Sequence, residues 1–231
     1  KAAQGLAHLR TAAFFSGARA GEELLLNPSA DVRDFVAKAR TFFNDQTALT
    51  GKYAFTDRAN GLISRPYFPD GEVGRPNGPF SRPIAQFNPF STGLQSALIL
   101  GDLAAHLGFV TGASATDTPQ RCTSLPAPAA NQNRLQNGIQ IFPGSVPVYR
   151  GNVLIGGVGV SGDGIDQDDM ISFLGLNNGG KRTSGVGNAP VAIRADQIVV
   201  QLSGASVRLR FVGCPFAPFL DTSAQDACGG L

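Results

Sequence analysis

The chain has no tryptophan, one methionine, two histidines and three cysteines among its 231 residues. Each scarcity excludes something. Without tryptophan, and with its basic residues scattered, the chain shows no aromatic–basic interleaving for stacking RNA or single-stranded DNA. A net charge of +2 gives no electrostatic footprint for nucleic acid either. The cysteines Cys122, Cys214 and Cys228 form no C-x-x-C and no C-x-x-C-H, which argues against a zinc ribbon and a covalently attached c-type heme. One disulfide plus one odd thiol is the simplest arithmetic. Cys214–Cys228, closing a short loop in the tail, is the first choice, and Cys122–Cys214 stays open. With only His8 and His106 available, a Ser–His–Asp or Cys–His system would have to use one of them. Neither sits in a nucleophile elbow, and no G-x-S-x-G occurs. No apolar stretch is long enough to span a bilayer.

What is present is apolar and turn-rich. Hydrophobic residues make up 42%, charged residues only 16%, and there are 29 glycines and 15 prolines. That composition describes long ordered loops over one sizeable core. Few lysines, much Gly, Asn and Thr, and cysteines placed in loops lean toward a periplasmic or extracellular home. The chain begins at Lys1 without a signal-peptide pattern, as a processed or incomplete product would.

The organising stretch is 142–175, FPGSVPVYRGNVLIGGVGVSGDGIDQDDMISFLG. Two apolar runs, 146–149 and 153–160, flank Arg150-Gly151-Asn152, which predicts a β-hairpin. The second run, almost all Val, Ile, Leu and Gly, predicts a central strand buried on both faces, with Gly156, Gly157 and Gly159 admitting another backbone or a ligand. Asp166, Asp168 and Asp169 favour a helix start through capping and the dipole. The turn before it, Ser161-Gly162-Asp163-Gly164, could cradle an anion. A tight turn is the plainer reading, since the nearby carboxylates repel phosphate. Their spacing also fails the EF-hand pattern.

Elsewhere, periodicity predicts helices over 2–20 and 32–43, the second packing an apolar stripe on a sheet. A further helix is expected from about Ala97 to Leu107, stopped by Gly108, after a short strand near 93–95. Residues 57–89 and 111–140 read as long loops, with Phe80, Phe87 and Phe90 pinning the first of them. Residues 177–187 read as a flexible turn or linker. Two strands follow at 193–202 and 206–212, and Phe216 and Phe219 anchor the tail.

The hairpin with its following Gln167-Asp168 resembles the GlcG/HbpS family, whose pattern runs G-G-[LV]-P-[LIV]-Y-x-[DN]-G-x-[LV]-[IV]-G-[GA]-[IV]-G-V-x-G before a helix opening with Q-D. Lys38-Ala39-Arg40-Thr41, Ala48-Leu49-Thr50, Ile63-Ser64-Arg65 and Phe68-Pro69 are similar to the family's upstream segments. The resemblance covers roughly residues 35–175. It implies an α+β domain with a profilin- or PAS-like antiparallel sheet and packed helices. It also implies binding of heme or service in small-molecule metabolism. On this reading residues 1–176 form the family domain, and 177–231 form a strand extension and tail packed on it.

The expected function is a heme- or small-ligand-binding protein of the cell envelope. The alternatives are a non-catalytic subunit docking on a cytochrome or a second copy, and, least supported, an enzyme subunit for small hydroxy acids. Candidate ligand contacts are Arg40, Tyr149, Arg150, Gly162, Asp163 and Gln167, where Arg40, Tyr149 and Arg150 together could hold a carboxylate or heme propionate. His106, at the C-terminal end of its helix, is a carbonyl-capping residue on the ordinary reading and a candidate heme ligand on the sharper one. The family's N-terminal hairpin has no counterpart before Ser29. The expected sheet therefore needs a partner at one edge: a longer product, the C-terminal strands, or another chain.

Overall fold

Helix α1 (Ala2–Phe15) lies against the hairpin of β1 (Ser145–Arg150) and β2 (Val153–Gly159), and this contact fixes the rest of the architecture. The computed structural model describes residues 2–61, 100–118, 134–135, 138–140, 142–162, 164–183, 185–202, 204–214 and 227–231. After α1 come α2 (Ala20–Leu25), α3 (Ala30–Phe42), the short α4 (Asp57–Gly61) and α5 (Leu100–Val110). The hairpin is followed by α6 (Ile165–Thr183), β3 (Gly187–Asn188), two 3-10 turns, and β4 (Val199–Leu202) with β5 (Ala205–Arg208). The chain is α+β, as expected, and among the described residues its strands pair antiparallel. The expected strand near 93–95 and the anchors Phe80, Phe87, Phe90, Phe216 and Phe219 lie outside the described residues.

The hairpin closes through Gly151-Asn152, with Arg150 facing Val153. Gly151 takes φ 57°, the first central position, where a type II′ turn puts glycine. Strand order is β2-β1-β3, so the expectation for 153–160 is corrected: β1, not β2, is central. Val153 and Ile155 are exposed, and among the described residues the outer edge of β2 has no partner strand. The run is apolar for another reason. Its glycines receive the α1 backbone: a Cβ on Gly157 would stand 2.5 Å from the Leu9 carbonyl oxygen, and one on Gly159 would stand 2.6 Å from the Leu9 nitrogen. The close backbone approach expected of these glycines is therefore real at 157 and 159. At Gly156 nothing lies within 4 Å.

Four more expectations change. It is α1 that covers the hairpin, while α3 packs on α2. Its stripe of Val32, Phe35, Val36 and Ala39 is buried in a phenylalanine cluster in which Phe15 and Phe35 lie 5.8 Å apart and Phe43 and Phe55 5.7 Å apart. Helix α5 runs through Gly108 and ends before Gly112, whose φ of 78° is the left-handed stop. Residues 177–183, read as a linker, are the last two turns of α6. There the chain doubles back so tightly that a Cβ on Gly180 would meet the Val186 carbonyl carbon at 3.1 Å. Finally, the C-terminal strands are shorter than expected, and among the described residues they pair only with each other and do not extend the main sheet. The first half of the predicted 193–202 strand is instead 3-10 turn, bridged to Ala54 by Ala54–Ile193 and Ala195–Ala54 backbone bonds of 2.7 and 2.9 Å. Cys214 and Cys228 are joined by a disulfide, and Cys122 lies outside the described residues.

Candidate functional site

Residues 54–60 (Ala-Phe-Thr-Asp-Arg-Ala-Asn) are buried without a break, although four carry polar side chains. Burying such groups costs several kcal/mol unless they are paired, so their partners define what the segment does. Thr56 caps α4: its Oγ1 accepts the Ala59 N–H at 3.2 Å and donates to the Phe211 carbonyl. Oδ2 of Asp57 lies 2.5 Å from Nδ1 of His8, with the two side chains 0% and 3% exposed. The Asp57 N–H donates to Ser145 Oγ at 3.3 Å. Arg58 donates from Nε to Asp169 Oδ2 at 2.5 Å and from Nη2 to Asp166. The Gly213 N–H reaches the same Asp169 oxygen at 2.8 Å. One five-residue helix thus fastens α1, β1, the start of α6 and residues 211–213.

The local chain explains each placement. His8 sits on the face of α1 that crosses the hairpin, and its ring rests on Gly144, where φ is 147° and a Cβ would come within 2.9 Å of the imidazole Cε1. Asp166 and Asp169 are three apart, on one side of the first turns of α6, so a single guanidinium bridges them. Burial pushes the Asp57 carboxyl up to about 6, with His8 and the Ser145 hydroxyl pulling it back. Burial does the same to Asp169, also to about 6, against the pull of Arg58. Oδ1 of Asp57, of Asp168 and of Asp169 is buried without a hydrogen bond. Among the described residues no three His, Cys, Asp or Glu side chains are grouped to hold a metal ion.

The residues singled out from sequence fall elsewhere. Tyr149 is buried in the core, where burial pushes its hydroxyl up to about 12 against the pull of the Ser16 hydroxyl. Arg150, the next residue on the strand, points outward. Arg40 donates from Nε to the Ala48 carbonyl at 3.3 Å and lies against Gly21. These three do not converge on one clamp. Gly162 is exposed, with a Cβ there 2.9 Å from Asp168 Oδ1, and Gln167 folds back over Gly164. Asp163 lies outside the described residues. His106 is on the surface of α5, its Nδ1 2.8 Å from Asp117 Oδ1, and it caps no carbonyl among the described residues.

Residues 102–177 match the family model HbpS-like, Haem degrading protein HbpS-like. The GlcG/HbpS resemblance holds over that segment, which supports a heme-related protein. The HbpS-like segment carries α5 from Asp102 onward, the hairpin and most of α6, and so includes His106, Tyr149, Arg150, Gly162 and Gln167. The buried network straddles its border: Ser145, Asp166, Asp168 and Asp169 lie inside, while His8, Thr56, Asp57 and Arg58 precede it. No curated protein and no solved structure matches the chain.

The network was hidden in the sequence. Asp57 and Arg58 open what reads as a long proline-rich loop, and His8 reads as one more helical position. The available signal was Thr56 before Asp57, a helix cap with an acidic first turn.

Proposed function

We propose that the chain is a heme- or small-ligand-binding protein of the cell envelope, with His106 as the residue that would hold heme iron. The observation that carries this reading is the His106–Asp117 pair inside the HbpS-like segment. A carboxylate on Nδ1 fixes an imidazole's orientation and raises the basicity of Nε2, which is how ligating histidines are held. Nε2 of His106 has no hydrogen bond among the described residues. Leu103 and Val110, three residues before and four after it on α5, are exposed and share its face, an apolar bed of the kind a porphyrin needs. Bound heme would supply redox chemistry at iron; the chain's part is to hold it. Exposed Arg150, together with Gly162 in the turn before α6 and Gln167 in its first turn, would be the polar contacts of a smaller ligand.

The envelope location is supported by the Cys214–Cys228 disulfide, since such bonds persist in oxidising compartments. No helix among the described residues is long and apolar enough to cross a membrane. The rival reading, a docking subunit, draws on the same exposed helix, where Leu107 and Phe109 add to the apolar surface.

Titrating the protein with hemin decides between them. A saturable Soret shift that His106→Ala abolishes, and that Asp117→Asn weakens at least tenfold, supports the heme reading. A Soret band unchanged in His106→Ala removes that ligand. A colourless, stable oligomer favours the docking subunit.

A further inference from the structure

Among the described residues, the network around 56–60 sets three carboxylates, Asp57, Asp166 and Asp169, against one guanidinium and one imidazole. Facing the His8–Asp57 contact, α1 brings only His8 as a titratable group, α4 brings Asp57 and Arg58, and α6 brings Asp166, Asp168 and Asp169. Strand β1 adds the Ser145 hydroxyl, and residues 211–213 add the Gly213 N–H and the Phe211 carbonyl. Asp166 is half in water, with its side chain 54% exposed. The other three carboxylates are buried: Asp57 against the imidazole, Asp169 against the guanidinium, and Asp168 beside it in sequence on α6. Arg58 is shared between Asp166 and Asp169, and among the described residues Asp57 has only the imidazole to set against its charge. Each of the three buried carboxylates also has an oxygen without a hydrogen bond, so none is fully solvated by the protein.

We propose that this network is a proton-operated clasp: mildly acidic solution holds helix α1 closed on the hairpin, and loss of protons from Asp57 and Asp169 as the pH rises loosens it. The contact is placed for that role. His8–Asp57 is a side-chain tie from α1 to α4, while at Gly157 and Gly159 α1 meets the hairpin through its backbone and the Cβ atoms of Ala13 and His8.

The sign follows from where the carboxyls titrate. Asp57 and Asp169 are raised from 3.8 to about 6 in the folded protein. The closed state therefore binds protons that an open, hydrated state has lost. The stabilisation is complete below about pH 4 and disappears as the pH rises through about 6. Asp45 acts in the opposite sense and outside this window. Burial raises its carboxyl, but bonds from Lys52, Thr47 and Tyr53 prevail and hold it below the usual range, so its contribution is lost only on further acidification. The inference is independent of whether heme binds.

Amide hydrogen exchange of α1, corrected for the intrinsic pH dependence, tests the clasp in the full chain. Between pH 4.5 and 7 the opening equilibrium of α1 should increase by about 25-fold for each of Asp57 and Asp169 that loses its proton. Asp57→Asn, a neutral isostere, should flatten the profile by about that factor, and Asp45→Asn should leave it unchanged. If Asp57→Asn does not fold, proton uptake during refolding of the wild type at pH 5 still decides: net uptake supports the clasp, and zero uptake or release overturns it. So does α1 protection that is constant, or that rises, with pH.

Discussion

Replacing Gly159 with alanine adds one methyl group where helix α1 touches strand β2. The new Cβ would face the Gly5 carbonyl and stand 2.6 Å from the Leu9 nitrogen and 2.8 Å from the His8 Cβ. Carbon contacts are comfortable at about 3.5–4.0 Å, so the helix would have to retreat by about 1 Å. All three neighbours belong to the helix itself, backbone or first side-chain carbon, so no flexible side-chain end can give way. Burial of the methyl returns about 0.8 kcal/mol. Overpacking of this kind costs about 1–3 kcal/mol net, and a retreat of α1 also stretches the His8–Asp57 contact, placing the loss at the upper end. Gly156→Ala is the internal control. It lies on the same strand with nothing within 4 Å, and should change stability by no more than about 0.5 kcal/mol. Urea denaturation followed by circular dichroism measures both. With a slope of about 2 kcal/mol/M, Gly159→Ala should lower the midpoint by about 1.5 M at unchanged slope. Equal midpoints for the two variants would refute the claim that the backbone of α1 rests on β2.

Gly157→Val should behave like Gly159→Ala, losing about 1–3 kcal/mol, because its Cβ would meet the Leu9 carbonyl at 2.5 Å; a thermal melt suffices to check it. Arg58→Ala removes the fixed cation from beside buried Asp169 and should cost about 3–5 kcal/mol, most of it recovered in the double variant with Asp169→Asn; absence of recovery in that denaturation cycle would count against the ion pair. Reducing the Cys214–Cys228 bond, which closes a sequence separation of 14, should lower stability by about 3 kcal/mol, read from denaturation with and without reductant.

The hairpin was legible in the sequence because its signals are local. β-branched runs on both sides of Gly151 specify the strands and turn whatever packs on them, and the helical spacing of Leu6, Leu9, Ala13 and Phe14 in α1 and of Val32, Phe35, Val36 and Ala39 in α3 specifies helices in the same way. The disulfide was legible as a first choice because short loops close easily. The order of the sheet was not. An apolar, glycine-rich run has the same composition whether its glycines accept a neighbouring strand's side chains or a helix backbone, and here they accept α1. The α6 extension was missed because Asn177, Asn178, Gly179 and Gly180 have weak helix propensity. Tertiary packing overrides it, with the chain returning over Gly180.

The sequence by itself determined that an α+β chain forms around a hairpin, where its longer helices α1, α3, α5 and the start of α6 lie, and a resemblance to heme-related proteins over its middle. Only the tertiary structure decided which polar residues act together. His8 and Asp57 are 49 residues apart, and Arg58 and Asp169 are 111 apart. No periodicity or spacing rule links positions so distant. They meet because α1 and α6 pack on the same sheet, and because a charge carried into a dry interior is stable only beside a partner of opposite sign.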